Sequence, residues 1–147
     1  MGIQWRRTQL TSVVLLLALL CGTGNAPAST PLYDQLGGEQ GVVAIVDQFL
    51  AKLADDQRIN HFFAETNLKR FREKLIEQFC ALSGGPCTYT GDSMQQSHAG
   101  MGVNHAAFNA LVEDLIEAME HCKIATGAQN RLLALLAPMH KDIIEKP

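Results

Sequence analysis

The stretch GGPCTYTGDSMQQSHAGMGV, residues 84–103, decides how this chain folds. Gly84, Gly85, Pro86, Gly91, Gly100 and Gly102 punctuate it too densely for a long helix. His98 is its single imidazole and falls on what can be only a short helical turn. A brief platform of this kind suits a residue whose ring nitrogen has to point at something. The segments on either side are amphipathic helices, so the platform lies between two apolar walls.

Upstream, Thr30 to Leu36 reads as a short helix stopped by Gly37-Gly38. A second helix follows from about Glu39 to Ala54, with Val42, Ile45, Val46, Phe49, Leu50 and Leu53 at helical spacing. Residues 58–65 form a corner carrying Phe62-Phe63, and at least one of those rings has to plug the core. Asn67 suits an N-cap for a third helix reaching Leu82, with Leu68, Phe71, Leu75, Phe79 and Leu82 on one face. Downstream, Asn104 caps a fourth helix to about His121. The last helix opens on Thr126-x-x-Gln129, read as a capping box, and Pro138 should kink it. No strand alternation appears, so the fold class expected is all-α.

The 147 residues fit one domain, with 47% hydrophobic and 18% charged residues, enough for a core and too little charge for disorder. The first 28 residues are a separate object. Arg6-Arg7, the apolar run Val13 to Leu20 and the small residues Ala26 and Ala28 make a secretory signal pattern. We expect residues 1–28 to be a signal peptide and 29–147 the domain, exported to the periplasm. Attachment to a membrane is expected only if Cys21 is acylated, and Leu20 before it is larger than such signals use. The signal carries two arginines and no acid, so the domain is more acidic than the whole chain's −3. An acidic surface without a basic stripe excludes nucleic acid as partner. Cys80, Cys87 and Cys122 remain, an odd number. Cys80 and Cys87 are close enough in sequence to bridge, which spacing alone leaves open.

An ordinary helical core with a loop-capping histidine is the plainest account of these features. Two observations point elsewhere. A long glycine-broken stretch beside the most aromatic helices adds little to a packed core, and such segments are usually functional. Lys74 also lies three residues after Phe71 and one before Leu75, a cation at the rim of an apolar slot. Haem matches that slot: a flat apolar macrocycle, two propionates, and an iron that accepts an imidazole.

From Leu32 to about Ile144 the chain resembles the group I truncated haemoglobins. The residues that carry the likeness are LYDQLGG (32–38), VDQFLAKLADDQRINHFF (46–63), GGPCTYTGDSMQQSHAGMGV (84–103) and NHAAF (104–108). The resemblance implies a truncated globin, a two-over-two helical sandwich around haem b. It places His98 on the proximal iron ligand and Phe63 on the phenylalanine that wedges against the macrocycle. It places Phe71 and Leu75 over the iron and Lys74 near a propionate. Phe49, Phe79, Met94, Val103, Phe108 and Leu111 fall on pocket-lining positions.

One departure matters. Where the family usually has Phe-Tyr on the second helix, this chain has Phe49-Leu50, and Leu75 stands where a polar group is frequent. Leu50, Phe71 and Leu75 then make an apolar distal site. A buried hydrogen bond to bound dioxygen is worth about 1–3 kcal/mol, or about tenfold to a hundredfold in affinity. Without it dioxygen should leave fast, while carbon monoxide and nitric oxide depend less on that bond.

Among the other histidines, His61 is the one competitor for the sixth iron position, and the corner would have to fold inward to bring it there. His105 reads as a solvent-facing first-turn residue, His121 as a helix-end cation, and His140 as a surface or groove residue. The function expected is reversible binding of diatomic gases rather than catalysis. A redox enzyme (nitric oxide dioxygenation or a peroxidase-like reaction, with an unidentified reductase) and an envelope haem carrier are the alternatives. Peroxide cleavage wants a distal acid–base group, and none is visible.

Overall fold

The computed structural model describes residues 30–146. The expected signal segment and Cys21 lie outside the described residues. Among them the chain forms seven α-helices: α1 Leu32–Gln35, α2 Gly38–Asp55, α3 Leu68–Leu82, α4 Met94–His98, α5 His105–His121, α6 Thr126–Leu136 and α7 His140–Ile143. Short 3₁₀ turns cover Asn60–Phe63 and Ala137–Met139. The expected all-α class is what folds.

The apolar spacing of α2 explains its central place. Val42, Ile45, Val46, Phe49 and Leu53 are all buried, and they recur at intervals of three and four. α2 packs most extensively on α5, then on α3, while α3 also touches α6. The result is the two-over-two arrangement, α2 and α3 facing α5 and α6. Ala118 and Met119 of α5 and Leu132 of α6 are closed to solvent in this core. Each fully buried Leu, Ile or Phe contributes about 1.5–3 kcal/mol, and the α2–α5 interface is the most extensive between helices.

The caps fall where the sequence places them on α3 and α5. Asn67 accepts from the Arg70 amide at 3.0 Å and Asn104 from the Ala107 amide at 2.9 Å. Leu68, assigned to the apolar face of α3, is instead exposed, because it sits at the first residue, before the helix meets α2. The capping box expected at Thr126 does not form. The chain turns through Lys123, at φ 57°, and the helix begins one residue early, with Ala125 at the N-cap. Gln129 Nε2 then donates to the Ile124 carbonyl at 2.8 Å, where a capping box would have its Oε1 accept from the Thr126 amide. Pro138 does more than kink the last helix. It sits in the 3₁₀ turn and divides α6 from α7, since its ring excludes a normal helical hydrogen bond there. That break allows α7 to turn onto α4.

Candidate functional site

The platform carrying His98 is α4, five residues long. Ser93 opens it with a full capping box: its hydroxyl accepts from the Gln96 amide at 3.2 Å, and Gln96 Oε1 accepts from the Ser93 amide at 3.1 Å. One turn on, His98 Nδ1 lies 2.8 Å from the Met94 carbonyl oxygen. A carbonyl only accepts, so Nδ1 carries the proton. In the neutral ring that leaves the lone pair on Nε2, which makes no hydrogen bond to the described residues. The ring is half-buried. A neutral imidazole with its other nitrogen donating to a carbonyl is the form that ligates a metal.

The apolar residues divide into two sets. Phe63, Phe71, Leu75, Met94, Phe108 and Leu111 are all only half-buried. Phe49 and Phe79, each 2% exposed, and Val103, at 7%, are closed to solvent. Phe63 and Phe71 stack with ring centres 5.4 Å apart. Leu50 is half-buried and packs on the core. All three residues between Phe71 and Leu75 on α3 are charged: Arg72, which pairs with Asp47, then Glu73 and Lys74.

Lys74 does not stand alone at the rim. Its ammonium donates to both oxygens of Glu77, at 2.8 and 2.9 Å, and to the Thr90 hydroxyl at 2.5 Å. Glu77 also accepts from the Thr90 amide at 2.9 Å. The lysine ammonium, and then the Thr90 amide and hydroxyl, hold the Glu77 carboxyl down to about 2. This cluster ties α3 to the glycine-rich stretch. A second tie lies a turn along: buried Gln78 directs its amide at Met94 Sδ, 3.6 Å away, and at Met139 Sδ, 3.7 Å away. A third is covalent, the disulfide between Cys80 and Cys87, which among the described residues leaves Cys122 as a free thiol.

His61 is exposed and lies tilted against Phe62, with ring centres 4.2 Å apart. His105 is not merely solvent-facing. Its Nδ1 lies 3.1 Å from His140 Nε2, and the His140 ring meets Phe108 edge-on at 4.7 Å. The sequence offers no signal for that pairing across 35 residues. Neither Glu77 nor Glu145 is marked in the sequence as a site residue. Two clefts of about 190 and 270 Å³ lie elsewhere, one beside the disulfide and one between the Phe62 corner and the start of α5, and neither is lined by His98.

Comparison with known proteins identifies the class. The bacterial-like globin family matches residues 31–145. A group 1 truncated hemoglobin of Mycolicibacterium paratuberculosis is 32% identical over 117 residues, covering 80% of this chain and 85% of that protein. The crystal structure of truncated hemoglobin from Tetrahymena pyriformis, in its Fe(III) form, superposes with a TM-score of 0.75 at 29% identity, covering 78% of this chain and 98% of that one. The chain therefore belongs to the bacterial-like globins, as a truncated globin of the haem- and gas-binding kind. Haem b is the cofactor of that family. The residues present fit it on two observations: an imidazole with one nitrogen unengaged, and a set of large apolar side chains left half-open over a sealed core.

Proposed function

We propose that this protein binds diatomic gases reversibly at a haem held by His98, with an apolar distal side. Haem supplies the iron that takes an imidazole on one face and a gas on the other. His98 is the proximal ligand, aimed by its hydrogen bond to Met94, and that bond is the observation that carries the reading. Phe63, Phe71, Leu75, Met94, Phe108 and Leu111 cover the macrocycle, and Phe49, Phe79 and Val103 back them. Leu50, Phe71 and Leu75 form the distal side, where none of the three carries a donor. Lys74 reaches a propionate only by sharing its charge with Glu77.

The consequence is a weak preference for dioxygen, with carbon monoxide and nitric oxide relatively favoured. Stopped-flow release of dioxygen from the ferrous protein tests it. Fast release supports an apolar distal side, and release as slow as from a site with a hydrogen-bonding phenol would overturn it. We also propose export, with residues 1–28 as the signal. The Cys80–Cys87 bridge supports that reading, since disulfides persist in oxidising compartments. A cell-fractionation blot that found the full-length chain in the cytoplasm would oppose it.

A further inference from the structure

The segment that follows α7 reaches back to the turn that follows His98. Glu145 Oε1 accepts from the Gly100 amide at 2.6 Å, and Oε2 accepts from the Gly102 amide at 2.5 Å. Both glycines have positive φ, 78° and 68°, which turns their amides toward one carboxylate. The fastening continues along the backbone, where the Glu145 and Lys146 amides donate to the Val103 carbonyl at 3.0 and 3.2 Å. Nothing local does this work at that end of α4. Ser93 caps the N-terminal side, but Ala99 at the C-terminal side leaves the helix at φ −57° and ψ 125°, and only the Met101 amide returns to the His98 carbonyl. A five-residue helix does not hold itself together.

We propose that Glu145 is a positioning residue for His98: its carboxylate clamps the backbone just past the imidazole and so fixes the direction of Nε2. Charge-assisted hydrogen bonds to two amides are short and directional. They join positions 45 and 43 residues apart, so they hold the platform to the body of the fold. The other groups near α7 do not serve this purpose. His140 is engaged with His105 and Phe108, and Gln78 with the methionine sulfurs. The inference rests on His98 as the iron ligand.

Resonance Raman of the ferrous haem-loaded protein tests it through the iron–histidine stretching band. Hemin transfer to an excess of apomyoglobin and the thermal midpoint of the haem-free chain are measured alongside. E145A should shift or broaden the band and speed hemin loss about tenfold, the equivalent of one charged hydrogen bond. E145Q keeps one neutral acceptor and should fall between E145A and the parent. D142A, which removes an exposed acid from α7 itself, should leave the band and hemin loss unchanged. An unaltered band in both Glu145 variants overturns the proposal. So does a lowered thermal midpoint with an unaltered band, because that is a purely structural role. If E145A does not fold, E145Q alone decides between these results. A parent protein with no iron–histidine band would instead remove His98 as ligand, a different failure from the one that concerns Glu145.

Discussion

His98 Nδ1 sits 2.8 Å from the carbonyl oxygen of Met94, so the ring is held by its own helix, one turn back. The hydrogen bond fixes the tautomer as well as the direction. His98→Gly should therefore lose the five-coordinate ferrous spectrum, and imidazole added to the buffer should restore much of it. Absorption spectra of ferric, ferrous and carbonyl forms read this directly. An unchanged spectrum in the variant would mean that another side chain ligates the iron.

Leu50 can be used to rebuild the missing donor. It is half-buried on α2, next to the sealed Phe49. Leu50→Tyr should slow dioxygen release by about tenfold to a hundredfold, the worth of one buried hydrogen bond. Carbon monoxide release should change far less. Equal effects on both gases would point to altered access rather than to a new hydrogen bond.

The disulfide closes a short loop, with Cys80 and Cys87 seven residues apart. Loop-closure entropy for that length corresponds to about 2–3 kcal/mol. The double variant C80A/C87A should lose stability of that order in urea unfolding, and the loss should vanish when both proteins are compared under a reductant. A difference that survived reduction would show that packing of the Cys80 side chain, which is buried, is the cause instead.

Asp114 of α5 is 5% exposed, and its Oδ2 is buried without a hydrogen-bond partner. Burial, and then the nearby Asp56 charge, raise its carboxyl above the usual 3.8. The folded state thus keeps this proton to higher pH than the unfolded state. Its stabilising effect is complete below pH 3.8 and is lost as pH rises through the folded value. Asp114→Asn should accordingly stabilise the protein at pH 7, on the order of 1 kcal/mol. The gain should shrink toward pH 3.8. A variant less stable than its parent at pH 7 would show that Lys52 and Arg58 already compensate the charge.

The amphipathic helices were legible because their signals are local. The spacing of Val42, Ile45, Val46, Phe49 and Leu53 needs no partner to be read, nor do the asparagine caps at 67 and 104. The glycines around His98 likewise announce a short platform. What escaped depends on distant contacts. Thr126 matched a capping box by spacing, but the turn at Lys123 set the helix start. Lys74 read as a rim cation although Glu77, its ion-pair partner, lies only three residues on; Thr90, which completes the cluster, is 16 residues away, on the other side of the Gly84-Gly85 turn. Glu145 carries no mark at all in the sequence, since its partners are two backbone amides.

The shortness of α4 also bears on the order of folding. Five residues lie far below the length at which a helix outlasts its own nucleation cost. Amide protons between residues 93 and 103 should exchange with deuterium early in the haem-free chain, well before those of α2 and α5, whose packing is independent of the platform. Capturing the porphyrin then amounts to the last folding step of the polypeptide, with ligation energy spent on ordering the very segment that provides the ligand.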